Sequence, residues 1–304
     1  MRKAVAIFVL LLLMGFAAGA KKGGTKVVLL GTGTPNPDPE RTGSSVAIIA
    51  GNTAYIVDFG AGVVRRAAAL SPRYGGKIKA LLPEKLRIAF LTHLHSDHTL
   101  GYADLILTPW IMGRNRPLIV YGPEGLKKMT QRLLEAYQED IKYRLYGLEP
   151  ANNQGWKVEV HEIEKEGVIY RDGNVEVEAF PVKHGSWPDA YGFRFKTRDK
   201  VIVVSGDTAP CAKIVEYARG ADILIHEVYS LKGFQKRSKE WKIYHSSHHT
   251  STVELAEIAA KARPKLLVLY HILFWGTSEE EILEEIRSKY DGKVIVGRDL
   301  MVIE

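Results

Sequence analysis

Thr92-His93-Leu94-His95-Ser96-Asp97-His98 follows the apolar run Arg87–Leu91 and packs three imidazoles and a carboxylate into six residues. The whole chain has ten histidines, so chance placement does not explain the cluster. His93 and His95 alternate and, in extended backbone, project to one side. Asp97 and His98 come after a bend and face a neighbouring point. Neutral imidazoles with a carboxylate suit zinc, iron or manganese, and the absence of thiolate argues against a closed structural zinc site. The plainer alternatives are a solvated polar loop or a lone adventitious metal site.

Outward from this run, other ionisable residues also sit at strand ends. Asp207 follows the run Val201–Ser205, His271 follows Leu266–Tyr270, and His184 follows Glu176–Val182. Ligands of open α/β sheets gather beyond the carboxyl ends of strands, so four distant parts of the chain are expected to point at one place. The remaining pattern alternates strands with helices. Lys26–Leu30, Ser45–Ala50, Tyr55–Asp58 and Leu118–Tyr121 read as strands; Val63–Leu70 and Leu126–Tyr137 read as helices. Asp172-Gly173-Asn174 turns a hairpin. Ser251 and Glu254 form a capping box, opening a helix that Pro264 closes. Thr277 and Glu280 are expected to cap the last helix, and Lys293–Val296 forms the last strand. Such alternation predicts a layered α/β fold. Residues 140–167, which include Tyr143, Tyr146 and Trp156, are the least regular, read either as a surface excursion or as a lid over a substrate cleft.

The 304-residue chain opens with a basic Met1-Arg2-Lys3, an apolar run Ala4–Met14 and the small residues Ala18-Gly19-Ala20. These are the parts of a secretory signal peptide over residues 1–20. The expectation is therefore a secreted or periplasmic protein with no stable membrane insertion after cleavage, folded as a single domain over 21–304. Retention as an uncleaved anchor is the alternative. One cysteine, Cys211, allows no internal disulfide. A formal net charge of +7 favours anionic partners without naming one.

The histidine run resembles the signature of the metallo-β-lactamase superfamily. Pro181-Val182-Lys183-His184-Gly185, Ser205-Gly206-Asp207-Thr208 and Leu269-Tyr270-His271 resemble its later motifs in the expected order. Leu30-Gly31-Thr32-Gly33-Thr34-Pro35 resembles the opening of the ribonuclease Z-like and arylsulfatase-like branch. The resemblance implies a four-layered αββα sandwich. It implies two divalent metal ions, zinc in the first instance with manganese or iron as alternatives. His93, His95 and His184 would hold one ion, and Asp97, His98 and His271 the other. Asp207 would bridge them, and a water between the ions would be the nucleophile. Asp97 acts instead as a base if only one metal binds. His249-Thr250-Ser251 and His226-Glu227-Val228 resemble segments in which the histidine, here His249, protonates the leaving group and the glutamate, here Glu227, steadies it. His245 and His248 are the nearby alternatives, while His226 and His161 read as structural.

For the substrate, the expectation from the sequence is a small anionic phosphodiester or sulfate ester. Lys232, Lys236, Arg237, Lys239 and Lys242, interleaved with Phe234, Trp241 and Tyr244, form a basic aromatic segment ahead of His249 that suits such an ester. Trp187 and Phe274-Trp275 are candidates to wall the pocket. Ribonuclease Z activity and transfer RNA are argued against on two grounds. An exported enzyme would not meet a cytosolic substrate. Only 22 residues lie between His184 and Asp207, where the bacterial enzyme carries a long glycine- and lysine-rich arm. Alternatives carried alongside are a lactone or thioester hydrolase and a non-catalytic periplasmic metal- or partner-binding module. Dimers occur among relatives, but no homodimer interface is legible.

Overall fold

The computed structural model describes residues 24–304. The segment read as a signal peptide, residues 1–20, lies outside the described residues. Fourteen strands form two seven-stranded sheets. The first holds β1 (Lys26–Gly31), β2 (Ser45–Ala50), β3 (Thr53–Val57), β4 (Ile88–Phe90), β5 (Leu118–Gly122) and β6 (Val158–Glu162), with β14 (Val302–Ile303) beside β1. The second holds β7 (Gly167–Arg171), β8 (Val175–Pro181), β9 (Tyr191–Thr197), β10 (Val201–Val204), β11 (Ile223–Tyr229), β12 (Leu266–Leu273) and β13 (Val294–Val296).

The period-2 alternation of strand side chains divides each central strand between two cores. Val27, Leu29, Ile48, Phe90, Phe193, Phe195, Ile225 and Tyr270 face into the space between the sheets. Their neighbours Val28, Leu30, Ala47 and Ile56 face α1 (Val63–Ala69) and, beyond the short α2 (Ser96–Thr99), α3 (Tyr102–Ile111). On the opposite side Val203, Leu224, Leu267 and Leu269 pack against helices of the second outer layer. Strands buried on both faces have no polar side to show, so they read in the sequence as continuous apolar runs. The order is helix, sheet, sheet, helix.

In the first outer layer, α4 (Leu126–Ala136) is followed by α5 (Gln138–Tyr146). In the second, α6 (Ala212–Ala218) links β10 to β11, and α9 (Thr252–Ala262) links β11 to β12 after the short α7 (Leu231–Gln235) and α8 (Lys239–His248). Strands β10 to β13 run parallel, so their carboxyl ends share one edge of the sandwich. The last helix, α10 (Glu279–Arg287), is capped one residue later than expected, by Ser278 with Glu281. No helix among the described residues is long and apolar enough to cross a membrane.

Residues 140–167 are more ordered than their composition suggests. They include most of α5, and β6 pairs in parallel with β5. The intervening turn is tied down by Arg114, which is 1% exposed. Its guanidinium donates to the carbonyls of Leu86, Leu105, Ile106 and Gly155. Burial, with Arg87 nearby, lowers its pKa to about 9. Substituting Arg114 with Met leaves those carbonyls without a donor in a dry interior. A loss of about 2–5 kcal/mol is expected in urea denaturation. A change within about 0.5 kcal/mol would show that water replaces the lost bonds.

Candidate dinuclear metal centre

Several site residues are delivered by strand ends or by departures from regular strand geometry, while Asp97 and His98 sit on the short α2 and His249 caps α8. Asp58 follows β3 in left-handed backbone, with φ of 58°. Its carboxylate accepts from the Thr92 N–H at 2.8 Å and from the Thr92 hydroxyl at 3.0 Å, fixing the start of the histidine run just past β4. Its other oxygen accepts from Nδ1 of His98 at 2.8 Å. Asp207 leaves β10 through Gly206, whose φ of 62° and tight approach to Tyr191 Oxygen leave no room for a side chain. His271 is the extra residue of a bulge in β12. Tyr270 faces Glu227 and Ile272 faces Val228, so His271 is unpaired, with φ of 47°. A non-glycine residue held there is strained, and the strain turns the imidazole out of the ladder.

The seven residues expected to bind metal converge. Nδ1 of His95 lies 3.0 Å from Nε2 of His93 and 3.1 Å from Nε2 of His184. Asp207 approaches this trio, its Oδ2 being 3.9 Å from Nε2 of His93. On the other side of Asp207, Oδ2 of Asp97 lies 3.0 Å from Nε2 of His271 and 3.5 Å from Nε2 of His98. Asp207 is 3.5 Å from His98 and 3.6 Å from His271. The donor atoms of His93, His95, His184 and Asp207 form one compact group, and those of Asp97, His98 and His271 another. A third group, Asp207, His249 and His271, also brings donors within the same span.

The charges, and the proton positions of His98 and His184, fit a pair of divalent cations. Asp58, Asp97 and Asp207 are buried together with neither lysine nor arginine among the candidate ligands. Nδ1 of His98 donates to Asp58, and Nδ1 of His184 donates to the His248 carbonyl at 2.9 Å. Both rings therefore present an Nε2 lone pair to the centre. Nε2 of His98 and Oδ1 of Asp207 are fully buried without a hydrogen-bond partner, a cost that a cation between them removes. Burial opposes charge on His98, but Asp207, Asp97 and Asp58 outweigh it and hold its pKa well above the ordinary range. Burial likewise pushes Asp97 up, but His98 and His271 bring it to about 2. Protons on His98 and His271 thus compensate the carboxylates, and cation uptake exchanges for those protons. His184, where burial dominates, is lowered to about 3 and is ready as a neutral donor.

Beside the ligands, Nδ1 of His249 lies 3.4 Å from Oε2 of Glu227. Oε1 of Glu227 accepts from the backbone N–H of Thr250 at 2.8 Å, which holds the carboxyl in place. Burial and the neighbouring Asp207 carboxylate raise Glu227 well above its ordinary range, and burial lowers His249 to about 4. A cavity of about 490 Å³ opens from Asp97, Asp207, His249 and His271. No residue of 140–167 lines it. Of the basic aromatic segment, Arg237, Trp241 and Tyr244 line it, the two aromatic residues from α8. Trp187 donates its indole N–H to Nε2 of His95 at 2.7 Å. His226 is buried with Nδ1 against the Glu227 carbonyl, and His161 stacks on Tyr121 away from the ligands. Cys211 packs in the helical layer next to α6.

Asp58 is the functional residue that the sequence reading missed, although the strand-end rule applied to it as well. Asp58→Ala frees His98 to rotate and to take the wrong tautomer. A loss of about 10–100-fold in metal affinity is expected, read by competition with a chromogenic chelator. Unchanged affinity would mean that Thr92 and packing alone orient the ring.

Comparison with known proteins supplies the family. A model described as a beta-lactamase superfamily domain matches residues 55–272. Ribonuclease Z of Mycobacterium bovis (strain BCG / Pasteur 1173P2) is 34% identical over 288 residues, covering 92% of this chain and 98% of that protein. Among solved structures, the metallo-beta-lactamase fold protein YhfI from Bacillus subtilis superposes with a TM-score of 0.70 at 19% identity, covering 93% of this chain and 100% of the other. The short form of human tRNase Z gives 0.67 at 23%, covering 92% and 98%. These findings overturn the exclusion of ribonuclease Z and of transfer RNA, and with it the small-ester reading. The arylsulfatase-like label falls as well, because the relatives matched over nearly full length carry the ribonuclease Z name, and nothing found supports the signal-peptide and periplasmic labels. The short span between His184 and Asp207 is real, being filled by β9 and β10. The ligand set converges with this short span in place. The chain belongs to the metallo-β-lactamase superfamily of metal-dependent hydrolases, in its ribonuclease Z-like branch.

Proposed function

We propose that this protein is a zinc-dependent ribonuclease whose substrate is transfer RNA. The observation that carries the reading is the near-full-length identity to proteins named ribonuclease Z, in a chain whose donor groups for two cations converge at one cavity. Neutral imidazoles and carboxylates without thiolate suit zinc, with manganese or iron as alternatives. When bound, the two cations supply Lewis-acid polarisation of the scissile phosphoryl group and a lowered pKa for the attacking water.

The chain's own residues do the rest. Asp207 lies between the two donor groups and holds them at one separation. Asp58 and the His248 carbonyl fix two imidazole tautomers. His249 faces the cavity with Nδ1 towards Glu227, leaving Nε2 as the ring nitrogen not engaged by that carboxyl. Burial favours a neutral pair, with the proton on Glu227 and the imidazole uncharged. Negative charge building on a leaving ribose oxygen draws a proton through the imidazole: Nε2 gives one to the departing oxygen as Nδ1 takes one from Glu227. The leaving group then departs as an alcohol, which is general acid catalysis.

Incubation of the metal-loaded protein with a 3′-extended transfer RNA tests the reading on a denaturing gel. Two discrete products are expected, lost on chelation and restored by zinc. His249→Ala should lower kcat by about 10²–10⁴-fold. An RNA left intact by protein carrying its full complement of metal would refute the assignment.

A further inference from the structure

The outer wall of the site cavity contains a cation that nothing in the hydrolytic site uses. Arg237 sits between α7 and α8, and its guanidinium carbon lies 5.8 Å from the ring centroid of Trp241 and 5.3 Å from that of Trp275. All three line the cavity that also opens onto Asp207 and His271. Two other cations near the cavity are tied to carboxylates: Lys232 pairs with Glu281, and Arg41 with Glu279. Arg237 has no such pair among the described residues, and its Nε is buried without a hydrogen-bond partner. A guanidinium partly removed from water and left without an anion is unfavourable unless a ligand supplies one.

The support on either side is built, not incidental. Trp275 has a φ of 47° and is followed by Gly276 at 83°. A tryptophan in left-handed backbone persists only where its surroundings hold it. Here it packs on Tyr229 at 5.6 Å between ring centroids and on Phe234 at 6.5 Å. Gly233 allows that approach, since a β-carbon there would stand 3.0 Å from Cβ of Trp275. Trp241 is braced on α8 by His245, stacked at 5.4 Å and 22°. Two indoles therefore flank the guanidinium, and a planar fork held there suits the paired oxygens of a phosphate.

We propose that Arg237, propped between Trp241 and Trp275, binds the phosphate adjacent to the one being cleaved, so that the site selects a polynucleotide over an isolated phosphodiester. The proposal rests on the phosphodiester reading of the metal centre. Arg237 is a specificity residue: it grips a charge that an RNA strand carries and a simple ester lacks.

Calorimetric titration of the zinc-loaded protein with thymidine 3′,5′-bisphosphate, thymidine 5′-monophosphate and thymidine 3′-monophosphate tests it without turnover. Wild type should bind the bisphosphate at least about tenfold tighter than either monophosphate, the expected contribution of one charge-assisted contact. Arg237→Gln should bring the three within about twofold, and Arg237→Lys should restore part of the gap, since it returns the charge without the fork. A gap that survives in R237Q, equal weakening of all three ligands, or no gap in wild type would each overturn the proposal. The same proteins are then given 3′-extended transfer RNA. An Arg237-dependent gap in a protein that leaves the RNA intact keeps the clamp and sinks the ribonuclease reading. Cleavage by a wild type that shows no gap does the reverse.

Discussion

Asp58, Asp97 and Asp207 are buried within one constellation, and no lysine or arginine is buried with them. Three carboxylates in a dry interior repel one another and are costly to desolvate, so the fold must supply positive charge at that point. In the metal-free chain, protons on His98 and His271 supply it. A pair of divalent cations would supply it better, because one of them would also be held by His93, His95 and His184, whose ring nitrogens crowd one another at 3.0–3.1 Å. Three local irregularities serve this need. The left-handed Asp58, the bulge at His271 and the glycine before Asp207 each aim one donor at the same small volume.

The sandwich makes that convergence inexpensive. Parallel strands β10, β11 and β12 end on one edge of the second sheet, and β3 and β4 end on the facing edge of the first. Residues 58, 93, 207 and 271 leave these strands, and Glu227 lies on β11, so that all gather around one centre though they are scattered over more than 200 positions. Beyond the ligands the cavity is walled mainly by α8 and by loop residues such as Asn36 and Trp275, so substrate contacts can vary while the ligand geometry stays fixed.

Much of this was legible in the amino-acid sequence, because the responsible signals are local. The histidine run, the Asp-Gly hairpin at 172–173, the capping box at Ser251 and the apolar strands all act over a few residues. What escaped depends on distant partners. Asp58 matters through His98, forty positions away. Residues 140–167 take regular form because Arg114 and the β5 edge hold them, neither of which their own composition encodes. The substrate was misjudged for a different reason. A basic, apolar start and a short span between motifs were allowed to outweigh a motif set spread over the whole chain, whereas the site chemistry lies in that set and not in the appendages.

A constellation built to hold metal is tested most directly by metal content. Protein stripped with chelator, dialysed against zinc and analysed by plasma mass spectrometry should retain about two ions per chain, as a two-metal hydrolytic site requires. Protein that emerges from the same dialysis with no zinc beyond background would contradict the account, because the buried carboxylates would then be balanced by protons alone.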